Sequence, residues 1–144
     1  QFACQWNGDE RSERYALNAK TFAEMTQNAK ETGMQGLTVW AEPSPYWATV
    51  EISYLAFARF GWDPEMTWEQ FLDEDVVPLM GGRDAADLFM AIAGEVDENQ
   101  QLPIERLEIL RQQALQQSAD NSGDVARRWL TLGEQIARRE FMGT

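Results

Sequence analysis

The apolar positions change rhythm twice along the chain. Phe2-Ala3-Cys4-Gln5-Trp6 is a short apolar and aromatic run closed by Asn7-Gly8-Asp9, which predicts a strand and its turn. From Ser12 the spacing becomes helical: Tyr15, Ala16, Ala19, Phe22, Ala23 and Ala29 fall mostly on one stripe. Ser12 is the expected N-cap and Thr32-Gly33 the stop. Gly36-Leu37-Thr38-Val39-Trp40-Ala41 is a second apolar run, rich in strand formers and closed by Glu42-Pro43-Ser44-Pro45. Residues 1–45 therefore predict strand, helix, strand. Two buried strands joined by such a helix form a βαβ unit of a parallel sheet. Two strands alone are not a stable sheet, so their apolar faces need cover from the rest of this chain or from strands outside it.

After Pro45 the pattern is helical throughout. Tyr46 to Phe60 is apolar almost all round, with Val50, Tyr54, Phe57 and Ala58 joined by Ala48, Ile52, Leu55 and Ala56, which predicts a helix buried on most sides and ended by Gly61. Thr67-Trp68-Glu69-Gln70 fits a capping box, and the helix it opens should run to about Val77, where Pro78 and Gly81-Gly82 break the chain. Arg83 to Val96 points Ala86, Leu88, Phe89, Ile92 and Ala93 inward. The polar stretch Asp97 to Gln101 reads as a connector. Pro103 then sits at the first turn of a helix with Ile104, Leu107, Leu110, Ala114 and Leu115 on its stripe. Asn121-Ser122-Gly123 turns the chain into a last helix facing Val125, Trp129, Leu132, Ile136 and Ala137 inward.

Composition narrows the function classes. The 144 residues are 44% apolar and 25% charged, enough for one folded core. No run approaches the about 20 apolar residues of a membrane span, and the N-terminus lacks the basic-then-apolar order of a signal peptide. Twelve basic against 24 acidic residues give a net charge of −12, which repels nucleic acid. With no His and one Cys, His-dependent triads and the usual zinc sites are excluded, and no metal or other cofactor is expected. Cys4, inside an apolar run, reads as a buried thiol. Any proton chemistry falls to carboxylates, Tyr, Lys or Cys4. The compartment stays open on these grounds.

Gly36 to Pro45 carries the most chemistry. Catalytic residues of a (β/α)8 barrel sit at the C-terminal ends of its strands, and Glu42 takes that place if residues 37–41 are a strand. Trp40, Tyr46 and Trp47 lie around it, offering flat faces on which sugar rings stack. Glycoside hydrolysis takes two carboxylates roughly 5 to 10 Å apart, and Asp9 or Glu10, after the first strand, is the candidate partner. The plainer alternative makes Glu42 a helix cap or an arginine partner, the aromatics core residues, and Asp9 and Glu10 turn acids in water. The six acids from Asp63 to Asp75 lack the Gly and the ligand alternation of a calcium loop and read as a solvated helix face. Arg127-Arg128 and Arg138-Arg139 read as ordinary surface pairing partners among acids.

GLTVWAEPSPYW, EISYLAFARFGWDPEMTWEQFL and VPLMGGRDAADLF resemble the C-terminal part of bacterial glycoside-hydrolase-like proteins, over roughly residues 15 to 95. The features that match are Glu42 after Trp40, Tyr54-Leu55-Ala56, Trp62-Asp63-Pro64, Trp68-Glu69, Phe71 and Gly81-Gly82. In such proteins a (β/α)8 barrel ends with a strand carrying a Glu, and a helical C-terminal region packs on it. The resemblance implies that this chain holds the last two strands, the helix between them and the helical tail, with six strands elsewhere.

The expected fold is mainly α: a helical, bundle-like C-terminal domain preceded by a short βαβ piece resembling the end of a (β/α)8 barrel. Residues 1–45 would be the barrel remnant, 46–96 a helical region packed on it, and 97–144 a C-terminal helical hairpin. The expected function is that of a C-terminal segment of a carbohydrate-active protein, inactive alone. Glu42 would be its acid/base or sugar-binding carboxylate, and Trp40, Tyr46 and Trp47 part of a sugar-binding wall. Its partners would be a carbohydrate, bound through the parent barrel, and the remaining barrel segments or a second chain, with neither nucleic acid nor membrane. The resemblance points to a bacterial parent, for which secretion or a periplasmic place is one option, and the localisation stays unknown. The alternative is a free-standing helical protein-interaction or assembly module without catalysis.

Overall fold

The computed structural model describes residues 2–3, 16–40, 45–98 and 102–142. Helix α1 spans Ala19–Glu31, α2 Ala48–Trp62, α3 Trp68–Phe71, α4 Val77–Met80, α5 Arg83–Glu98, α6 Ile104–Asp120 and α7 Gly123–Met142. A π-helical turn, Leu72–Val76, joins α3 to α4, so the chain is continuously helical from Trp68 to Met80.

The expected barrel end is not seen among the described residues, and the fold class is corrected accordingly: the molecule is helical. What the first and second apolar runs form is a two-residue parallel contact, Phe2–Ala3 (β1) beside Val39–Trp40 (β2), with no further strand among the described residues. A two-residue ladder is far below what holds an independent sheet. Gly36, Leu37 and Thr38, expected in the second strand, have no regular structure, and Thr38 is exposed. Strand-forming residues become a strand only where neighbours complete the ladder, and among the described residues only Val39 and Trp40 have such neighbours.

Most helix ends follow local chemistry. At the end of α1, the Gly33 and Met34 amides donate to the carbonyls of Lys30 and Ala29, with Gly33 at φ +71°, the hydrogen-bond pattern of a Schellman stop. The expected N-cap Ser12 lies outside the described residues, and α1 begins after Asn18. The capping box forms: the Gln70 amide donates to Thr67 Oγ1 at 3.2 Å and the Thr67 amide to Gln70 Oε1 at 2.8 Å. Pro78 does not break the chain as expected. The Val77 amide reaches back to the Leu72 carbonyl, and this widened turn takes the proline in before Gly81, at φ +89°, ends the rod. Helix α2 likewise runs past Gly61 to Trp62.

The core joins every long helix. Phe22 and Ala19 of α1, Ile52, Ala56 and Phe60 of α2, Phe71, Val76 and Met80 of the kinked rod, Phe89, Ile92 and Val96 of α5, Leu107 and Leu110 of α6, and Trp129, Leu132 and Ile136 of α7 are all buried. Phe60, Trp68 and Phe71 stack at the α2–α3 junction, and Phe89 meets Trp129 edge-on at 5.5 Å. Helices α6 and α7 pack along their lengths. Gly133 permits a close approach, since a Cβ there would lie 3.0 Å from Leu115 Cδ2.

Candidate functional site: an arginine-braced aromatic corner

Helix α2 has no side-chain cap of its own, because its N-cap is Trp47. One of its free amides, that of Ala48, is satisfied from α7 instead. The Ala48 amide donates to Thr131 Oγ1 at 3.1 Å, and Thr49 Oγ1 donates to Gln135 Oε1 at 3.1 Å, both in buried surroundings. Thr131 in turn donates to the Arg128 carbonyl at 2.9 Å. The N-terminus of α2 is therefore docked against residues more than 80 positions away, and the chain just before it is fixed with it.

Charge completes the brace. Arg128 grips Glu51 with two parallel hydrogen bonds, Nε to Oε2 at 2.9 Å and Nη2 to Oε1 at 2.7 Å, and its Nη1 donates to the Leu79 carbonyl at 3.2 Å. Such a fork is the strongest geometry open to an arginine and a carboxylate. Arg127 donates to Glu51 Oε2 at 3.0 Å and, through Nη1, to the Tyr46 carbonyl. Its guanidinium also lies 5.7 Å from the centre of the Tyr46 ring, within cation–π range. Tyr46 and Trp47 meet edge-on at 6.0 Å. Tyr46 keeps 47% of its surface exposed, while Trp47 is half-buried. The result is an ordered aromatic corner on the surface, four residues after Glu42.

Burial pushes the Glu51 carboxyl up, but the hydrogen bonds and charges of Arg128 and Arg127 outweigh it and leave the group below its ordinary value. Glu51 is thus held ionised at neutral pH. A general acid needs the opposite shift; the geometry makes Glu51 the shared ion-pair partner of Arg127 and Arg128. Arg128 is only 7% exposed, which corrects its expected role in surface pairing. Nothing local marks Glu51, Arg127 or Arg128 in the sequence; their meeting depends on how α7 lies across α2.

Of the residues expected at the site, the structure brings Tyr46 and Trp47 together. Trp40 lies in β2, with its side chain outside the description, and Glu42, Asp9 and Glu10 lie outside the described residues. The acid run is drawn to cations from neighbouring segments: Arg59 meets Glu74 and Asp75, Arg83 meets Glu69, Asp73 and Asp87, and Lys30 meets Glu65. Among the described residues no three His, Cys, Asp or Glu side chains gather where they would hold a metal ion, and no described helix is long and apolar enough to cross a membrane.

The fold and corner define the class as a helical chain with a braced aromatic surface. No protein family, no curated protein and no solved structure matches it.

Proposed function

We propose that this chain is a C-terminal, helical part of a carbohydrate-active, glycoside-hydrolase-like protein, inactive by itself, in which the Tyr46-Trp47 corner forms part of a sugar-facing wall and Glu42 is the acid/base or sugar-binding carboxylate. The observation that supports the reading is the corner itself. An exposed Tyr ring held edge-on to a Trp and braced from behind by Arg127 is a rigid apolar face with polar groups at its rim. That pairing of flat apolar face and polar edge suits the axial C–H and equatorial hydroxyl faces of a pyranose. The sequence resemblance points to the same ligand class, and the reading needs no barrel end in this chain.

Titration of the chain with neutral mono- and oligosaccharides, followed by NMR, tests it. Shifts centred on Tyr46 and Trp47, abolished by Tyr46→Ala, are expected; a panel that leaves those resonances unmoved refutes the wall. In the longer protein carrying this chain, Glu42→Gln should lower kcat for glycoside hydrolysis by about 100-fold or more, the scale of a lost acid/base group.

The second reading, a free-standing helical interaction or assembly module, is favoured by the core, which runs from Ala19 to Ile136 and closes on itself among the described residues. A cooperative thermal melt of a monomer favours it; a broad transition or an obligate dimer favours a segment that needs the rest of its protein.

A further inference from the structure

A pocket of about 290 Å³ opens between α1 and the loop that leads into α3. That is the lower end of small-molecule sites, about 300 Å³, with room for one small ring and its substituents. Lys20, Glu24 and Gln27 line it from α1, and their i, i+4, i+7 spacing puts all three on one helical face. Glu65, Thr67 and Trp68 line it from the loop and the first turn of α3.

The side opposite α1 is fixed in place. The Glu65 amide donates to Asp63 Oδ1 and the Met66 amide to the Asp63 carbonyl, both at 3.1 Å, so the loop is a hydrogen-bonded turn. Thr67 is held by the capping box, where its Oγ1 accepts from the Gln70 amide and keeps the hydroxyl proton for a ligand. Lys30 pairs with Oε1 of Glu65, which orients that carboxylate. The Trp68 indole lies within 8° of parallel to the Phe60 ring, with centres 6.4 Å apart, and tilts against Phe71 at 5.5 Å. Trp68 is thus anchored on the core while part of its surface stays open.

The lining states what it would take. Lys20, Thr67 and the Gln27 amide group donate, while Glu24, Glu65 and the Gln27 carbonyl accept. The charges balance, Lys20 against Glu24 and Lys30 against Glu65, so neither a net cation nor a net anion gains a field here. A hydroxyl group both donates and accepts, and a ring of hydroxyls uses both kinds of lining group. An amine would use the acceptors alone, and a carboxylate the donors alone. The negative face of the Trp68 ring suits the weakly positive C–H face of a pyranose.

We propose that the pocket between α1 and the Pro64–Trp68 loop binds one residue of a neutral saccharide, its C–H face against Trp68 and its hydroxyls shared between Lys20, Glu24 and Gln27 on one side and Glu65 and Thr67 on the other. The site shares no residue with the Tyr46-Trp47 corner, and its ligand class is read from its own lining.

The probes are the methyl pyranosides of glucose, galactose, mannose and N-acetylglucosamine, together with glucosamine and glucuronate as charged counterparts, titrated into the full chain by NMR. At least one neutral ring should move the Met66, Thr67 and Trp68 resonances, with an affinity that salt hardly changes, and the charged counterparts should bind no tighter. Glu24→Ala and Gln27→Ala should each weaken that ring about fivefold, the scale of one hydrogen bond. Their melting temperatures should not move, because both side chains are exposed. Trp68→Ala should abolish binding; the two α1 variants keep the test decisive if losing the indole loosens the α2–α3 junction. Tighter, salt-sensitive binding of glucosamine or glucuronate would overturn the proposal, as would unchanged affinity in both α1 variants or no shift at Met66, Thr67 and Trp68. Shifts confined to Tyr46 and Trp47 would also overturn it while upholding the sugar-facing wall, so the two sites fail separately.

Discussion

Replacing Glu51 with Ala removes the hub of the corner. Arg128, almost wholly buried, is left with the Leu79 carbonyl, and Arg127 keeps the Tyr46 carbonyl and an Asp124 oxygen 3.6 Å away. Breaking a buried ion pair from one side costs about 3 to 5 kcal/mol. Glu51 and Arg127 are each 24% exposed, so water reaches part of the cluster and the lower end applies. The expected loss is about 3 kcal/mol, or about 9 °C in Tm at about 3 °C per kcal/mol for a chain of this size. Urea denaturation with linear extrapolation, together with thermal melts, measures it. The Glu51→Leu/Arg128→Met double variant, which removes both charges, should recover most of the loss, since a buried pair replaced by apolar groups is near neutral. Acid supplies an independent arm. The folded-state pKa of Glu51 lies below its ordinary value of 4.5, so its stabilisation is complete above that pH and is lost as pH falls through the folded value. The gap between wild type and Glu51→Gln should therefore hold near neutrality and close below about pH 4.5. A Glu51→Ala loss under about 1 kcal/mol, the size of an exposed pair, or a gap unchanged in acid, would refute the brace.

Two further substitutions test the frame around it. Gly81→Ala forces a Cβ into a left-handed position 3.3 Å from Val125 Cγ1, and should cost about 1 to 2 kcal/mol by urea denaturation. Phe89→Ala empties a fully buried site beside Trp129, and should cost about 3 to 5 kcal/mol, with a change in near-ultraviolet circular dichroism as the indole loses its edge-on partner.

The helical half of the fold was legible because its signals are local. The capping box at Thr67 and Gln70, the Thr32-Gly33 stop and the inward stripes of α5 and α7 each depend on residues within a turn or two of one another. The strands were misread for the converse reason. Gly36 to Ala41 has strand-forming side chains, but a ladder is a property of neighbours, and among its described residues only Val39 and Trp40 find any. Pro78 predicts a break because its missing amide is a local fact, while the π turn that takes it in lies between Leu72 and Val76, both buried in the core. At the candidate site the aromatics were visible as Tyr46-Trp47. The groups that fix them were not, since Glu51, Arg127, Arg128 and Thr131 come together through tertiary packing alone.

Helix α2 ties these features into one device. Its 15 residues span about 22 Å at 1.5 Å per residue, with the Tyr46-Trp47 corner at one end and the exposed Trp62 at the other. Between them Ile52 and Ala56 are buried against the core, so the rod does not bend or slide without disturbing it. Packed interiors deform little, and perturbations at the two ends of such a rod act additively unless one of them shifts it. Trp62→Ala should therefore leave the chemical shifts of Tyr46 unmoved in wild type. In Glu51→Ala, where the α7 grip on the N-terminal end is loosened, the same substitution should reach them. Coupling seen only after the brace is cut would show that Glu51 and its two arginines keep the ends of α2 independent, which is a stronger role for the cluster than stability alone.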